Sequence, residues 1–197
     1  TGQCPWAGID DTMSKYYESK VATRNKKISH STQMALQISR LCAEPALKYG
    51  IKAVSDNKAG IDSSDLREVI LNNIISTGYA SLLVGPDNNS AAAHGLYYGM
   101  TALPEIEENH LHGEIVAYGI LFLLMMDNDQ DEVRRLYPFY KEIGFPTCLG
   151  DLDLKRGDIS DTVVEKALAS PNMGNMPYKV TREMLLEAID KLEGFLA

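Results

Sequence analysis

The segment from Ile115 to Met126 is apolar throughout except at Gly119, and it constrains the fold more than any other part of the chain. A helix needs about 20 apolar residues to cross a bilayer. This run is shorter, so it predicts a buried helix and not a membrane span. A chain of 197 residues is long enough to bury a sizeable core around such a helix.

Helical spacing dominates the rest of the chain, and no period-two run or hairpin signal stands out. We therefore predict an all-α fold, a single multi-helix domain over residues 1–197. One helix is expected from about Ser31, with Pro45 kinking or ending it. Asp65 and Glu68 have the spacing of a capping pair. The apolar face of the helix that follows is predicted to comprise Leu66, Val69, Ile70, Ile74, Ile75, Tyr79 and Leu82.

A loop is predicted over residues 85–90, with Asn89 or Ser90 as the N-cap of the next helix. That helix carries His94 and is expected to stop at Pro104, before a Glu-rich loop. The buried helix then opens near Leu111. The remaining predicted helices are Asp129 to Ile143 (ended by Gly144), Asp158 to Ala169, and Thr181 to Leu196.

Charge and cysteine content exclude several classes of function. The formal net charge is −8, and no basic cluster occurs beyond Lys26-Lys27, so nucleic acid is not an expected partner. Three scattered cysteines do not form a disulfide framework. The first residues lack the basic and apolar segments of a signal peptide. A cytoplasmic location and no membrane partner are therefore expected.

Three of the four histidines fall in one short stretch, between His94 and His112. Imidazoles on two largely buried helices need polar partners, and a shared metal is one such partner. Two alternatives are open: His94 as a hydrogen-bonded core histidine, and His112 as a helix-start residue without function.

Two histidines do not make a catalytic metal site, since a third ligand is usual. Asp10 and Asp11 are the best carboxylate candidates, at the expected start of an amphipathic helix carrying Met13, Tyr16 and Tyr17. The alternative is that an acidic residue there only interacts with the helix dipole.

Several motifs, taken together and in order, resemble one family. They are Gly8-Ile-Asp-Asp11-Thr-Met-Ser-Lys-Tyr-Tyr-Glu18, Ala91-Ala-Ala-His94, Gly99-Met-Thr-Ala-Leu-Pro104, His112-Gly-Glu-Ile-Val-Ala-Tyr-Gly119, Gly144-Phe-Pro-Thr-Cys-Leu-Gly-Asp-Leu152 and Asn175-Met-Pro177. The set is similar to the C-terminal metal-binding domain of the iron-containing alcohol dehydrogenase superfamily. Within that superfamily, the glycerol dehydrogenase-like branch is the nearest in pattern. The resemblance implies a dehydroquinate synthase-like helical domain.

The resemblance implies that Asp11, His94 and His112 are the metal ligands and act in catalysis through the metal. Asp10 is then a neighbour, His110 a loop residue and His30 a surface residue. Two positions depart from the pattern. Lys15 stands where iron-type members have a histidine, and Tyr98 stands where many relatives have a further histidine. Three ligands and an exchangeable water favour Zn²⁺, although the same set also holds Fe²⁺. For Tyr98 we expect packing, with a hydroxyl-donor role as the alternative.

The resemblance further implies a dehydrogenase that oxidises an alcohol with NAD or NADP. This sequence has no Gly-rich nucleotide-binding turn, so we expect the Rossmann-like nucleotide-binding domain to be absent from this chain and the chain alone to be inactive. The alternatives are a reductase of 2-oxo acids and a non-catalytic metal-binding domain. Expected partners are a small alcohol or oxo acid, a separate nucleotide-binding domain and further copies of the chain.

Overall fold

The computed structural model describes residues 4–195 and confirms the all-α prediction. No β-strand occurs between residues 4 and 195. The helices form two compact units, one up to Ser90 and one from Ala91. None of the helices in the described range has both the length and the apolar character needed to cross a membrane.

The first unit contains four α-helices within its described residues. They are α1 (Cys4–Ala22), α2 (His30–Lys58), α3 (Ser64–Leu71) and α4 (Thr77–Val84). A π-helical segment, Asn72–Ser76, joins α3 to α4 without a break. Its two asparagines hold the unit together: Asn72 Nδ2 donates to the Cys42 carbonyl of α2 at 3.0 Å, and the Asn73 side chain accepts from the Thr12 hydroxyl of α1 at 3.0 Å.

The start of α1 corrects the interpretation of the two aspartates. The helix begins by Cys4, so Asp10 and Asp11 lie in its second and third turns. The helix dipole acts mainly within the first turn, so it does not account for an acidic residue at these positions. Met13 and Tyr17 are buried as an amphipathic helix requires, whereas Tyr16 is only half-buried.

Two further predictions in this unit needed correction. Of the two outcomes expected at Pro45, an end of the helix is wrong, because α2 continues to Lys58. The helix begins after Ser29, whose hydroxyl accepts from the Thr32 N–H. The cap of α3 is Ser63 and not Asp65, because the Ser63 hydroxyl accepts from the Leu66 N–H. In both cases a serine immediately before the helix supplies the acceptor.

The predicted apolar face of α3 and α4 does not lie in the core. Val69 is fully buried and Leu66 is half-buried. The other five members of that face are exposed: Ile70, Ile74, Ile75, Tyr79 and Leu82. Burial in this segment falls instead on residues such as Asn72 and Ala80, which contact α1 and α2.

The second unit is built around the predicted apolar helix. Its α-helices are α5 (Ala92–Met100), α6 (Pro104–Asn109), α7 (His112–Met126), α8 (Gln130–Ile143), α9 (Asp161–Ala169) and α10 (Arg182–Phe195). Every residue of α7 from Ile115 to Met126 is buried, which confirms the sequence prediction. Helices α5, α8 and α10 cover it.

Helix ends in the second unit depart from the sequence prediction at three places. Neither Asn89 nor Ser90 caps α5, whose N-cap position is Ala91 without a side-chain bond. Helix α5 ends at Met100, and Pro104 starts α6 where a Glu-rich loop was expected. Proline favours the first turn of a helix, where its missing N–H is not needed.

The ends of α8 agree closely with prediction. The Asp129 side chain accepts from the Glu132 N–H, and Gly144 follows the helix in the left-handed conformation at φ 84°. Helix α9 starts at Asp161, after Ser160, and is shorter than predicted. The predicted end of α10 at Leu196 lies outside the described residues.

Candidate metal centre

The two motif histidines lie side by side in the second unit. His94 is in the first turn of α5 and is buried, while His112 is the first residue of α7 and is exposed. Their ring centroids are 5.3 Å apart, and the ring planes are inclined at 49°.

Close packing of α5 on α7 brings the histidines together. A Cβ atom at Gly119 would stand 2.8 Å from the Ala93 carbonyl oxygen and 3.0 Å from the Ala93 Cα. The absence of a side chain at this position is therefore what lets the backbone of α5 approach α7. Since Ala93 precedes His94, this backbone contact fixes where the His94 ring lies relative to the His112 ring.

Two glycines of α5 allow similar approaches on its other sides. A Cβ at Gly99 would lie 2.6 Å from the Ala167 Cβ of α9, and one at Gly95 would lie 2.8 Å from the Met173 Cε. The short helix that carries His94 is thus enclosed by α7, α9 and the segment around Met173. A ring held this way loses little conformational freedom on binding a ligand.

The predicted third ligand, Asp11, lies on α1 in the first unit and is half-buried. Its neighbour Asp10 is fully buried, and Asp10 Oδ1 accepts from the Asp11 backbone N–H at 2.7 Å. One carboxylate oxygen of Asp10 is therefore bonded within α1, and the assignment of Asp11 as the ligand stays a prediction.

The hydroxyl of Thr12, next to Asp11, joins a polar network inside the first unit. It donates to the Asn73 side chain, and the Thr77 hydroxyl lies 2.9 Å from it. The π-helical segment supplies Asn73, and segments of this kind are frequent near functional sites. Lys15 is also buried, and it lines a small cavity with residues of α2 and α4.

Tyr97, which the sequence did not single out, packs edge-on against the His112 ring. The two ring centroids are 4.4 Å apart, with the planes at 82°. Burial raises the pKa of the Tyr97 hydroxyl, and the nearby Tyr98 and Glu107 add to the effect. Tyr98, for which packing was expected, is an exposed side chain that touches the Tyr97 ring.

His110 also has a larger role than that of a loop residue. Its side chain is only 10% exposed. The Nδ1 atom lies 3.0 Å from Glu114 Oε2, and Nε2 lies 3.5 Å from Asp153 Oδ2. Glu114 Oε2 also accepts from the Leu111 N–H at 3.0 Å. This cluster stabilises the first turn of α7, where His112 stands, and the i, i+4 spacing of His110 and Glu114 was its sequence signal.

A cavity of about 280 Å³ adjoins His112 within the second unit. The residues lining it are Tyr97, Thr101, Ile106, Glu107, His110, His112 and Ile115. The mixture of two apolar side chains with hydroxyl, carboxylate and imidazole groups suits a small polar molecule, and the volume lies just below the usual range for ligand pockets. By contrast, His30 is an exposed residue at the start of α2, as expected.

The structure therefore brings His94 and His112 together in the second unit, while Asp11 lies on α1 of the first unit. Ligation of one metal by all three remains a prediction.

No protein-family model matches the chain. It is 31% identical over 194 residues to the glycerol dehydrogenase of Citrobacter freundii, covering 93% of this chain and 51% of the relative. It is also 31% identical over 193 residues to an uncharacterized oxidoreductase of Synechocystis, covering 93% and 49% respectively. Identity to hydroxycarboxylate dehydrogenase A of Escherichia coli is 27% over 195 residues, covering 97% and 54%.

The solved structures agree. A probable glycerol dehydrogenase from Sinorhizobium meliloti superposes with a TM-score of 0.87 at 27% identity, covering 99% of this chain and 56% of that one. Glycerol dehydrogenase from Schizosaccharomyces pombe has the same fold, with a TM-score of 0.85 at 23% identity, covering 98% and 51%. The chain spans about half the length of the curated relatives it matches.

These similarities extend over nearly the whole chain. The homologues over 93% of the chain are glycerol dehydrogenase-like members of the iron-containing alcohol dehydrogenase superfamily, and the chain has the fold of the C-terminal helical domain of glycerol dehydrogenase.

Proposed function

We propose that this chain is the metal-binding catalytic half of an NAD(P)-dependent polyol dehydrogenase, which oxidises an alcohol to a ketone by hydride transfer. The observation that carries the proposal is the juxtaposition of His94 and His112 on two closely packed helices. Similarity to relatives that are named as dehydrogenases supports the reaction class.

The histidine pair fits a shared metal. Zn–N distances are about 2.0–2.1 Å, which puts the ring centroids of two imidazoles on one tetrahedral ion on the order of 5 Å apart. The observed separation of 5.3 Å agrees. His94 is buried beside a rigid backbone contact, so little rearrangement is needed for it to present a nitrogen.

Asp11 is the proposed third ligand because it completes a two-histidine, one-carboxylate set, and it is the position that matches the aspartate of the family motif. Three protein ligands leave a position for water or substrate, the arrangement that zinc favours in catalysis. Fe²⁺ is the alternative ion for the same donors.

The surrounding residues position the ligands and the substrate. The Tyr97 ring fixes the orientation of His112, and the His110–Glu114 contact holds the turn that carries it. The adjoining cavity admits a small alcohol through hydroxyl and carboxylate contacts. When bound, the metal supplies Lewis acidity at the alcohol oxygen, and a nicotinamide accepts hydride.

Elemental analysis of the purified chain tests the metal site. We expect one zinc or iron per chain, lost in the double variant His94→Ala/His112→Ala and in Asp11→Asn. His30→Ala is the matched control, since it removes an exposed histidine outside the site and retains the metal. Metal content that is unchanged in the double variant, with the helical circular dichroism signal intact, would refute the assignment.

Turnover separates the proposed reaction from its alternatives. The chain is mixed with the nucleotide-binding half of a glycerol dehydrogenase, and glycerol oxidation is compared with 2-oxo acid reduction. The similarity to hydroxycarboxylate dehydrogenase A motivates the second substrate class. A chain that binds metal but turns over neither class supports the non-catalytic alternative.

A further inference from the structure

His110 lies between two carboxylates of the second unit. Its Nδ1 atom is 3.0 Å from Glu114 Oε2, and its Nε2 atom is 3.5 Å from Asp153 Oδ2. The three residues come from different elements: His110 follows α6, Glu114 is in the first turn of α7, and Asp153 follows the 3-10 helix Leu149–Leu152. None of them is among the three ligands proposed above for the catalytic metal.

The Nε2 atom of His110 lacks the partner that a buried polar atom needs. The His110 side chain is only 10% exposed, and within the described residues Nε2 is buried without a hydrogen bond. Its distance to Asp153 Oδ2 exceeds the range of about 2.7–3.2 Å that an N–H···O hydrogen bond requires. Buried polar atoms are almost always paired, so a buried nitrogen without a bond indicates a group that pairs with it.

The Glu114 contact determines which nitrogen of His110 can bind an ion. An ionised carboxylate only accepts hydrogen bonds, so the neutral imidazole donates its Nδ1–H to Glu114 and keeps a lone pair on Nε2. Glu114 Oε2 also accepts from the Leu111 N–H at 3.0 Å, so the carboxylate is itself held by the backbone. Histidines that bind metals commonly have this arrangement, with one ring nitrogen on the ion and the other donating to a carboxylate.

The separation of Nε2 and Asp153 Oδ2 fits two ligands of one ion. With Zn–N and Zn–O bonds of about 2.0–2.1 Å, two donor atoms on a tetrahedral ion are on the order of 3.3 Å apart. The observed distance of 3.5 Å is close to this value. An ion between the two atoms would pair the buried nitrogen and would be attracted by the charge of the carboxylate.

Backbone hydrogen bonds hold both donor residues in place. The His110 N–H donates to the Ile106 carbonyl at 3.2 Å, and the Asp153 N–H donates to the Gly150 carbonyl at 3.2 Å. The Asp153 side chain is 79% exposed, so it can turn aside to admit an ion from solvent and then close on it. Binding therefore requires the rotation of one exposed side chain and no shift of the backbone.

We propose that His110 and Asp153 bind a second divalent transition-metal ion, with Glu114 orienting the histidine. Imidazole and carboxylate donors together suit Zn²⁺. Two protein ligands leave the remaining positions to water, so the ion is held more weakly than at a three-ligand centre, with a dissociation constant on the order of micromolar. Such an ion is lost on dialysis, so the purified chain retains only the metal of the catalytic centre.

Zinc titration of the dialysed chain tests the second site. Calorimetry should show one additional equivalent of Zn²⁺ in the wild type. In Asp153→Asn and in His110→Ala, that equivalent should be absent or bound at least about tenfold more weakly. Asp153 is exposed, so its variant should keep the helical signal. Asp131→Asn removes another exposed carboxylate of the second unit, and as the matched control it should bind zinc like the wild type.

The same titration in the double variant His94→Ala/His112→Ala separates this site from the catalytic centre. The double variant should bind the additional zinc, and adding Asp153→Asn to it should remove that binding. This outcome supports the second site whether or not the catalytic centre holds a metal, so the proposal does not rest on the proposed function.

Heteronuclear NMR of the imidazole rings identifies the ligand directly. Zinc should shift the Nε2 resonance that disappears in His110→Ala, while Nδ1 remains protonated. A wild-type chain that takes up no additional zinc at high micromolar concentration would overturn the proposal and leave His110 as an imidazolium between two carboxylates. Equal zinc affinity in the wild type, Asp153→Asn and His110→Ala would overturn it as well.

Discussion

Gly119→Ala is expected to disturb the packing that places His94 beside His112. The added methyl group would stand 2.8 Å from the Ala93 carbonyl oxygen and 3.1 Å from its carbonyl carbon. These are backbone atoms of α5, so relief requires a shift of a helix and not the rotation of a side chain.

The steric cost can be separated from helix propensity by comparison with Gly78→Ala. Overpacking a well-filled interior costs about 1–3 kcal/mol, whereas alanine gains up to about 1 kcal/mol over glycine in a helix interior. Gly78 is in α4, which continues from the π-helical segment, and no atom lies within 4 Å of a Cβ added there. Both variants share the propensity gain, so Gly119→Ala should be less stable than Gly78→Ala by about 1–3 kcal/mol.

Urea unfolding gives this difference, and zinc titration reports the site. Because Ala93 precedes His94, a shift of α5 should weaken zinc binding by tenfold or more, about 1.4 kcal/mol. Equal stability of the two variants, together with unchanged zinc affinity, would show that α5 and α7 do not depend on Gly119 for their approach.

Three further predictions concern stability. Burial, together with the charge and hydrogen bond of Glu193, raises the pKa of Tyr118 well above 10.0. Below about pH 10 the protonated tyrosine therefore contributes to the free energy of unfolding, and this contribution is lost as the pH rises through the raised pKa. In urea unfolding, Tyr118→Phe should reduce this loss of stability at alkaline pH, and it should cost about 1–2 kcal/mol at neutral pH. Burial opposes ionisation of Asp151, but hydrogen bonds from the Thr147 N–H and hydroxyl and the Cys148 N–H outweigh it and lower the pKa. That stabilisation is present above about pH 4 and disappears as pH falls through the lowered pKa, so Asp151→Asn should flatten the acid side of the stability profile. Finally, a chelator that strips the metal should lower the melting midpoint, since a ligand at a hundredfold excess over Kd adds about 2.7 kcal/mol; an unchanged midpoint after confirmed metal loss would contradict a stabilising site.

Local signals were sufficient for much of the second unit. The helix predicted from Asp129 to Ile143, its end at Gly144 and the buried apolar helix α7 all depend on neighbouring residues in the chain, so the sequence alone placed them to within about a residue. The pairing of His94 with His112 was also expected, from motifs recognised in order.

Other features depend on partners that are distant in the chain. The roles of Tyr97 and Gly119 follow from the contact of α5 with α7. The burial of Asp10 likewise depends on how α1 packs, which no local pattern around residue 10 reports.

The sequence by itself determined that the chain is helical, where most helices lie and which residues are candidate ligands, because hydrophobic spacing and capping are local. Only the tertiary structure decided which apolar faces are buried. Ile74 of the π-helical segment and Leu82 of α4 have the spacing of core residues, yet α1 and α2 contact the side that carries Asn72 and Ala80, so these two side chains remain exposed. An apolar pattern specifies that a face needs a partner, and packing decides whether the chain itself supplies it.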